Sequence, residues 1–455
     1  CLDMPQRVNQ NWMALATALP LAVSAAGSAE AWAVLAYDDV LAIEYFNRRL
    51  PAYWRSKVPG FSELLSLAAA DFEPLRRECE AYDGRLMSDA EQAGGAKYAE
   101  ICALSFRQAI AAHKLVADFD GTPLFFSKEN FSNGCIATVD VTYPSAPLFL
   151  LTSPALLKGM LIPILDYSET YRWKFPFAPH DLGTYPLANG QVYGGGERTE
   201  DNQMPVEECG NMLILAGALV AFHDDLEFAA RYRKTLKLWA DYLLDKGYDP
   251  ENQLCTDDFA GHLAHNTNLS LKAILALGAF SMIEEKLGES GEARKYRAAA
   301  ESAARRWKVD AYDEGDFYRL AFDRPGSWSQ KYNLVWDRLL ELGLFPADIA
   351  ETEMAHYRKI QTRYGLPLDS RKTYTKFDWI VWSATLTGKR EDFEALVEPL
   401  YTWLDETPTR VPLCDWYETV DGKQVGFQAR SVVGGVFIQM LASPSLRQSY
   451  AALLK

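Results

Sequence analysis

Histidine and cysteine are scarce in this chain, which holds six histidines and seven cysteines in 455 residues. No two cysteines form a CxxC pair and no two histidines form an HExxH motif, the spacings typical of zinc sites. The sequence therefore predicts no zinc site, and it implies no cofactor. A structural calcium ion held by Asp and Asn oxygens in the loops stays open. The odd cysteine count neither requires nor excludes disulfides.

An excess of positive charge and long apolar runs are also lacking. The formal net charge is −15, so the chain has no electrostatic footprint for nucleic acid or an anionic membrane. The apolar stretch 13–31 is similar to a signal peptide, but only Arg7 precedes it as a positive charge. Two strands around the turn Ala26-Gly27-Ser28 explain it as well. No other stretch reaches the ~20 uncharged apolar residues of a membrane span.

What is present is a large apolar, mostly helical chain, 49% hydrophobic and 13% aromatic. Apolar residues recur at helical spacing in three early segments and again later. Asn133-Gly134, between alternating runs in 124–143, predicts a β-hairpin. The irregular stretch 172–204 is rich in aromatic residues, so we expect an ordered, functional loop. The early helical segments are 38–57, 61–86 and 95–116, and the later one is 151–170.

From residue 206 onward, helices alternate between a buried type and an amphipathic type. The period is roughly 50 residues, the length of a helical hairpin with its loop. Such hairpins closed in a ring make an (α/α)6 toroid, and the alternative is an open helical solenoid. The predicted pairs are 208–223 with 226–246, 267–287 with 292–307, 329–342 with 346–363, and 377–385 with 390–407, and 426–441 begins the last pair.

Loops rich in carboxylates and aromatic residues precede the buried helices. In a toroid, the N-terminal ends of the inner helices meet on one side, so these loops would converge on one cavity. The loops are His180-Asp181-Leu182-Gly183-Thr184-Tyr185, Glu207-Glu208, 256–262, Trp328-Ser329-Gln330-Lys331-Tyr332, Thr375-Lys376-Phe377-Asp378-Trp379 and Asp415-Trp416-Tyr417.

Carboxylates in a cleft that restricts water can act as general acid and base, because burial and mutual repulsion separate their pKa values. The candidate catalytic residues are Asp181, Glu207, Glu208, Asp257, Asp258 and Asp415. Each also has a structural explanation: acidic residues at a helix start complement its dipole, and aspartates cap helices and brace turns. Cys209 lies at a helix N-terminus, where a thiolate would be stabilised, but a buried structural thiol explains it better.

Aromatic, basic and amide residues in or near these loops are the candidate substrate-binding groups. Aromatic rings would stack on a sugar or pack a small amide, and Arg371, Lys376 or Arg430 would bind an α-carboxylate. The candidates are Trp173, His180, Tyr185, Asn211, His262, Lys331, Lys376, Asp378, Trp379, Trp416 and Arg430.

Several long motifs resemble the glutaminase A family. They are MPVEECGNM (204–212), CTDDFAGHLAHNTNLSLKAI (255–274), YGLPLDSRKTYTKFDW (364–379) and DWYETVDGKQVGFQARSVVGG (415–435), with AYDDVLAIEYFNRRLPAYWR (36–55) and FPFAPHDLGTYP (175–186) upstream. The resemblance covers nearly the whole chain from about residue 37. It implies a six-helical-hairpin hydrolase that converts L-glutamine to L-glutamate and ammonia, outside the cell or in the periplasm.

The resemblance also implies a division of the chain. Family members carry a β-sandwich before the toroid, so 1–35 is expected to hold the last strands of such a region. Residues 36–205 would supply the first toroid helices, the β-hairpin and the long loop, and 206–455 the six-hairpin domain. The upstream β-sandwich of the same protein is thus the expected partner, beside a small-molecule or oligosaccharide substrate.

Two other functions fit the same layout. An inverting glycoside hydrolase would use one carboxylate as acid and another to activate water, about 6.5–9.5 Å apart. A carbohydrate-binding toroid without catalysis would need only the aromatic platform. A small closed pocket with a fixed cation would favour the amidohydrolase instead.

Overall fold

The computed structural model describes residues 17–23, 27–255 and 260–454. The segments 17–23 and 27–41 contain no strand and are mostly exposed. The strands predicted within 13–31 are therefore not found in its described part, because no described strand lies beside it to pair with. Residues 13–16 and 24–26 of that stretch lie outside the described residues. The division of the chain at 35 and 205 stays a prediction.

Helices dominate the described chain, and the strands are short. The helices are α1 Phe61–Ala70, α2 Phe72–Gly94, α3 Ala96–Ala111, α4 Val139–Thr152, α5 Pro154–Ser168, α6 Pro205–His223, α7 Leu226–Lys246, α8 Thr267–Lys286, α9 Ser290–Asp310, α10 Val335–Leu339, α11 Ala347–Ile360, α12 Phe377–Ala384, α13 Arg390–Glu406, α14 Ile438–Leu441 and α15 Pro444–Leu453. The strands are β1 Ile43–Tyr45, β2 Arg48–Leu50, β3 His113–Ala117, β4 Pro123–Ser127, β5 Leu187–Ala188, β6 Tyr312–Asp313, β7 Phe317–Tyr318, β8 Tyr374–Lys376, β9 Cys414–Glu418 and β10 Gln424–Gln428. The 3-10 turns Tyr53–Ser56, Tyr332–Leu334 and Ser431–Phe437 complete the elements that position the site.

The inner helices form a closed ring. The turn Tyr332–Leu334 continues into α10 and Ser431–Phe437 continues into α14, so each pair acts as one inner helix. Around the ring, α4 packs on α6, α6 on α8, α8 on Tyr332–Leu334, that turn on α12, and α12 on Ser431–Phe437, which packs back on α4. The predicted (α/α)6 toroid is confirmed, and the open solenoid is wrong because the last inner helix contacts the first.

Burial explains which helices are inner. Every side chain of α6 from Val206 to Val220 is buried, whereas α7 buries one face and exposes the other. The outer helices α5, α7, α9 and α13 each pack on the inner helix before them, and α3 covers Ser431–Phe437. In the described part of the chain, α6 is the one helix long and apolar enough to cross a membrane, and it is the buried wall of the ring.

The helix predicted near the N-terminus is wrong. The segment 38–57 is not a helix but the antiparallel pair β1–β2, closed by Phe46 and Asn47 at φ 45° and 63° and followed by Tyr53–Ser56. The left-handed turn lets Ile43, Tyr45 and Leu50 alternate into the core. Asn133-Gly134 lies in the loop of a short antiparallel bridge between Lys128 and Ile136, as predicted, and the longer hairpin β3–β4 precedes it. Asn133 accepts a hydrogen bond from the amide of Cys135 in that loop.

A small sheet crosses the end of the ring where the inner helices begin. Strand β9 pairs with β8 on one side and β10 on the other, in the order β10-β9-β8. The register places Lys376 opposite Trp416, and the chain continues directly from β8 into α12. The sheet therefore brings residues from two distant loops to the same end of the ring.

Candidate active site

The first turns of three inner helices carry acidic residues at this end of the ring. Asp140 begins α4, Glu207 and Glu208 begin α6, and Asp378 begins α12. A helix N-terminus carries a partial positive charge that favours a nearby anion. All four side chains are buried, so their pairing rather than solvent decides their charge. The structure groups them into two clusters.

The first group, which we call the carboxylate cluster, contains Asp140, His180, Asp181 and Glu208. His180 Nδ1 lies 3.0 Å from Asp181 Oδ2, and its Nε2 lies 3.7 Å from Asp140 Oδ1. One nitrogen of His180 and one oxygen each of Asp140 and Glu208 all lie within 4.8 Å of one another. The side chains thus face a common point although they come from α4, α6 and the loop between α5 and α6.

Asp181 is the anchor of this cluster. Its carboxylate accepts hydrogen bonds from the amides of Gly183 at 2.7 Å, Val192 at 3.1 Å and Tyr193 at 3.1 Å. The Tyr193 ring also stacks on the His180 ring, with centroids 4.0 Å apart. These backbone donors hold the Asp181 carboxylate in place against the His180 ring, and the predicted catalytic role of Asp181 stays a prediction.

The pKa values of this cluster reflect burial and crowded charge. Burial alone would lower the pKa of His180, but the hydrogen bond to Asp181 and the charges of Asp140, Asp181 and Glu208 raise it to about 10. Burial raises the pKa of Glu208 well above its usual range, and the charges of Asp140 and Glu207 add to this. Close carboxylates in a buried site resist ionising together.

Glu207 faces a different partner. Lys272, on the second turn of α8, donates to Glu207 and to Asn211 Oδ1, the latter at 2.7 Å. Asn211 Nδ2 in turn donates to Glu208 Oε2 at 3.0 Å. All four side chains are buried. Glu207, predicted as a catalytic residue, is therefore one side of a buried ion pair, and Asn211 links that pair to the carboxylate cluster.

The second group, which we call the mixed-charge cluster, contains Lys376, Asp378, Asp415 and Arg430. Arg430 donates to Asp415 through Nη2 at 2.6 Å and Nε at 3.4 Å. Lys376 Nζ lies 3.4 Å from Asp378 Oδ2 and 3.9 Å from Asp415 Oδ2. Burial raises the pKa of Asp378 to about 6, against the opposing effect of Lys376. Two anions and two cations thus lie together, shielded from solvent.

Two polar atoms beside this cluster have no hydrogen-bond partner among the described residues. They are Asp378 Oδ1, an acceptor, and Trp379 Nε1, a donor, and both are buried. Buried polar atoms in folded proteins are nearly always hydrogen-bonded. A small polar molecule could supply a donor to Asp378 Oδ1 and an acceptor to Trp379 Nε1.

An aromatic column joins the two clusters. Lys272 Nζ lies 4.3 Å from the centroid of the Tyr143 ring, and Lys376 Nζ lies 4.9 Å from that of Trp379. The rings of Tyr143 and Trp379 are 6.4 Å apart, and Tyr332 stacks on Trp379 at 4.0 Å. The column therefore runs from the Lys272–Glu207 ion pair, which Asn211 links to the carboxylate cluster, to the mixed-charge cluster.

With this geometry in place, sequence comparison gives the family. The glutaminase A six helical-hairpin domain matches residues 95–440, and a domain of unknown function matches residues 2–89. The chain belongs to the glutaminase A family. Glutaminase A of Aspergillus oryzae is 34% identical over 86% of this chain and 57% of its own length. A probable glutaminase of Arthroderma benhamiae is 30% identical over 84% of this chain and 54% of its own length.

The chain thus spans a little over half the length of these two glutaminase relatives. Among solved structures, a family 15 glucoamylase from Hypocrea jecorina is similar at a TM-score of 0.47 and 9% identity, covering 76% of this chain and 71% of that one. A family 78 rhamnosidase of Bacillus sp. GL1 is similar at a TM-score of 0.46 and 13% identity, covering 66% of this chain and 31% of that one.

Some predicted binding residues of this glutaminase A family member lie away from both clusters. Trp173 is buried in the core, where its Nε1 donates to the carbonyl of Phe177 at 2.6 Å. Burial lowers the pKa of Lys331 to about 8, and its three donors are used by Tyr318 O, Ser329 O and Ser329 Oγ at 2.9–3.0 Å. The structure brings neither residue into the two clusters, and their contact with a substrate stays a prediction.

Others lie near the edge of the site or outside it. Tyr185 is 39% exposed, with its ring 5.9 Å from the Lys128 ammonium. His262 is exposed and lines a separate cavity of about 240 Å³ beside α6 and α7. Arg371 is held by Asp369 at 2.6 Å, and Trp416 is half-buried beside Phe427. Asp257 and Asp258, predicted as catalytic, lie outside the described residues.

Two residues of the site escaped the sequence analysis. Asp140 was hidden in Thr138-Val139-Asp140-Val141, which has the pattern of a strand but forms the start of α4. Lys272 was hidden in the apolar helix α8, where it is the one basic residue before Lys286. A single charge inside an otherwise apolar inner helix was the available signal, because such a charge is buried only with a partner.

Proposed function

We propose that this protein is a hydrolase that releases ammonia from the side-chain amide of L-glutamine. The observation that carries the proposal is the mixed-charge cluster of Lys376, Asp378, Asp415 and Arg430. Glutamine is a zwitterion at neutral pH, and its head group needs a cation and an anion within a few ångströms of each other. Membership of the glutaminase A family, whose relatives are named glutaminases, supports the same substrate.

The cluster offers a partner for each charge of the head group. Arg430, oriented by its 2.6 Å bond to Asp415, and Lys376 are the cations for the α-carboxylate. Trp379 Nε1 can donate to the same group, and Asp378 Oδ1 can accept from the α-ammonium. Charge-assisted hydrogen bonds in a buried site are strong and geometrically selective. Neutral sugars carry no charge that would match these groups.

The other end of the substrate would meet the carboxylate cluster. The two methylenes of glutamine would pack along Tyr143 and Trp379, which carries the amide toward Asp140, His180 and Glu208. Lys272 and Asn211 would position Glu207 and Glu208 through their hydrogen bonds. Asp181 would hold the His180 ring. Hydrolysis adds one water to the amide carbon and releases the amide nitrogen as ammonia.

Glycoside hydrolysis is the second candidate, favoured by one observation. Trp416 is half-buried at the edge of the site with Phe427 at 4.9 Å, and such a surface can stack on a sugar ring. An inverting mechanism that uses Asp140 with Glu208 fits less well. Their facing atoms lie within 4.8 Å, whereas inversion places the two carboxyl groups about 6.5–9.5 Å apart. A retaining mechanism uses the shorter spacing, about 5–5.5 Å.

Head-group analogues test the proposal. Ammonia release is measured from L-glutamine, from glutaramate, which lacks the α-ammonium, and from 4-aminobutanamide, which lacks the α-carboxylate. A site that hydrogen-bonds a group rejects an analogue without it by a factor of roughly 10⁴. We expect losses of that order in kcat/KM for both analogues. Values within tenfold of glutamine would contradict recognition of the zwitterion.

A further inference from the structure

The carboxylate cluster has the geometry of a metal site that the sequence spacing did not indicate. Asp140, His180 and Glu208 are separated along the chain, so no short ligand motif exists. In space, one ligand atom from each lies within 4.8 Å of the other two, and all three side chains are buried. We propose that these three residues bind a divalent transition-metal cation.

The environment of His180 supports a role as a metal ligand. Its Nδ1 is engaged by Asp181 Oδ2 at 3.0 Å, which leaves Nε2 directed toward Asp140. Metal-bound histidines usually donate their other ring N–H to a carboxylate, which fixes the ring and its tautomer. Asp181 is itself fixed by the amides of Gly183, Val192 and Tyr193. The outer layer that a metal site requires is therefore already present.

Glu208 provides an independent observation. Its side chain is fully buried, and its Oε1 accepts no hydrogen bond from any described residue. Its Oε2 accepts a hydrogen bond from Asn211 Nδ2 at 3.0 Å, which fixes the orientation of the carboxyl group. A buried carboxylate oxygen without a donor is costly, and a cation satisfies it.

The ligand types point to the kind of cation. Calcium and magnesium prefer sites made wholly of oxygen, whereas an imidazole nitrogen with two carboxylates suits zinc, cobalt or manganese. Three protein ligands leave a further position for water, as in catalytic rather than structural zinc sites. A bound cation would lower the pKa of that water to about 7 and supply a nucleophile for amide hydrolysis. The binding itself does not depend on the proposed function.

Calorimetry on metal-free protein tests the site without substrate. A Cys79→Ser background removes the exposed thiol of the described residues as a competing ligand. After dialysis against a chelator, titration with Zn²⁺ is expected to show one saturable equivalent. His180→Gln and Glu208→Gln should abolish it, and Asp181→Asn should weaken it by about 10–100-fold. Co²⁺ in the same site should show a visible absorption band that His180→Gln removes.

His265→Gln is the matched control. His265 Nδ1 lies 2.7 Å from Asp249 on the surface, so it is also a histidine paired with an aspartate, but it lies outside the cluster. This variant should keep the full zinc equivalent. Circular dichroism of each metal-free variant establishes that it is folded, and Asp140→Asn serves as a near-isosteric alternative where another variant unfolds. No saturable binding to the parent protein, or equal binding to folded His180→Gln, would overturn the proposal. Metal binding without glutaminase activity would instead refute only the proposed function.

Discussion

Replacing Lys272 by methionine should strongly destabilise the ring. The Lys272 ammonium and the Glu207 carboxylate are both buried, and they contact each other between α8 and α6. Methionine keeps most of the length of the side chain but removes the charge, so the buried Glu207 carboxylate would lose its ion-pair partner.

The expected loss in the free energy of unfolding follows from the burial of this ion pair. Breaking a buried ion pair by removing one partner costs about 3–5 kcal/mol, mostly because the other charge is left uncompensated. The hydrogen bond from Lys272 to Asn211 is lost as well. The double variant Lys272→Met/Glu207→Gln removes both charges, so it should regain at least about 2 kcal/mol of the loss.

Equilibrium unfolding in urea, followed by tryptophan fluorescence, measures these differences. Lys286→Met is the matched control on the same helix. Lys286 pairs with Asp224 at 3.1 Å, and the two side chains are 38% and 78% exposed. An exposed pair contributes roughly 0–1 kcal/mol, so this variant should be close to the parent.

Two results of the unfolding experiment would contradict this prediction. A loss below about 1 kcal/mol for Lys272→Met would mean that the pair is not buried as described. A double variant less stable than Lys272→Met would mean that the two charges do not compensate each other.

Two further outcomes follow from the mixed-charge cluster and from helix packing. Asp378 has a pKa of about 6 and is faced by Lys376, Asp415 and Arg430, so it loses its charge as the pH falls through 6. The KM for glutamine should therefore rise as the pH falls through that value. In Asp378→Asn the KM should be high at every pH, without that rise. A Cβ on Gly435 would lie 2.6 Å from Pro144 O, so Gly435→Ala should cost about 1–3 kcal/mol in urea unfolding, whereas Gly291→Ala, with open space around it, should not destabilise.

The regular helices of the toroid could be predicted because their patterns are local. The predicted helix 226–246 agrees with α7 at both ends, since its amphipathic face is set by its own sequence and Asp225 caps it through the amide of Phe228. The alternation of buried and amphipathic helices was predictable for the same reason, because it depends on residues close together in the chain. Ring closure depends on the contact between α4 and Ser431–Phe437, which are far apart in sequence.

Features decided by distant contacts could not be predicted. The β1–β2 pair replaced a helix because left-handed turn residues and pairing with β5 outweighed the helical spacing of 38–57. Helix α4 tolerates Pro144 and Pro147, because it packs against other inner helices of the ring on both sides. Asp181 and Glu208 were candidates from the sequence, but Asp140, which lies close to His180 and Glu208 in space, was not.

The sequence indicated which residues come together at the site better than it indicated the contacts that each of them makes. The convergence of Glu208, Asp378, Asp415 and Arg430 was expected from their position before inner helices, and the structure places them at one end of the ring. The saturated contacts of Lys331 and the core position of Trp173 depend on loops folding back, which periodicity does not describe.

The most direct test of the account is a parallel assay of ammonia release from L-glutamine and sugar release from a panel of glycans. Glu208→Gln is compared with Glu284→Gln, a fully buried glutamate on α8 that pairs with Arg233 at 2.7 Å away from the site. We expect ammonia release alone, abolished in Glu208→Gln and retained by folded Glu284→Gln. Sugar release without ammonia, or full ammonia release by Glu208→Gln, would contradict the account.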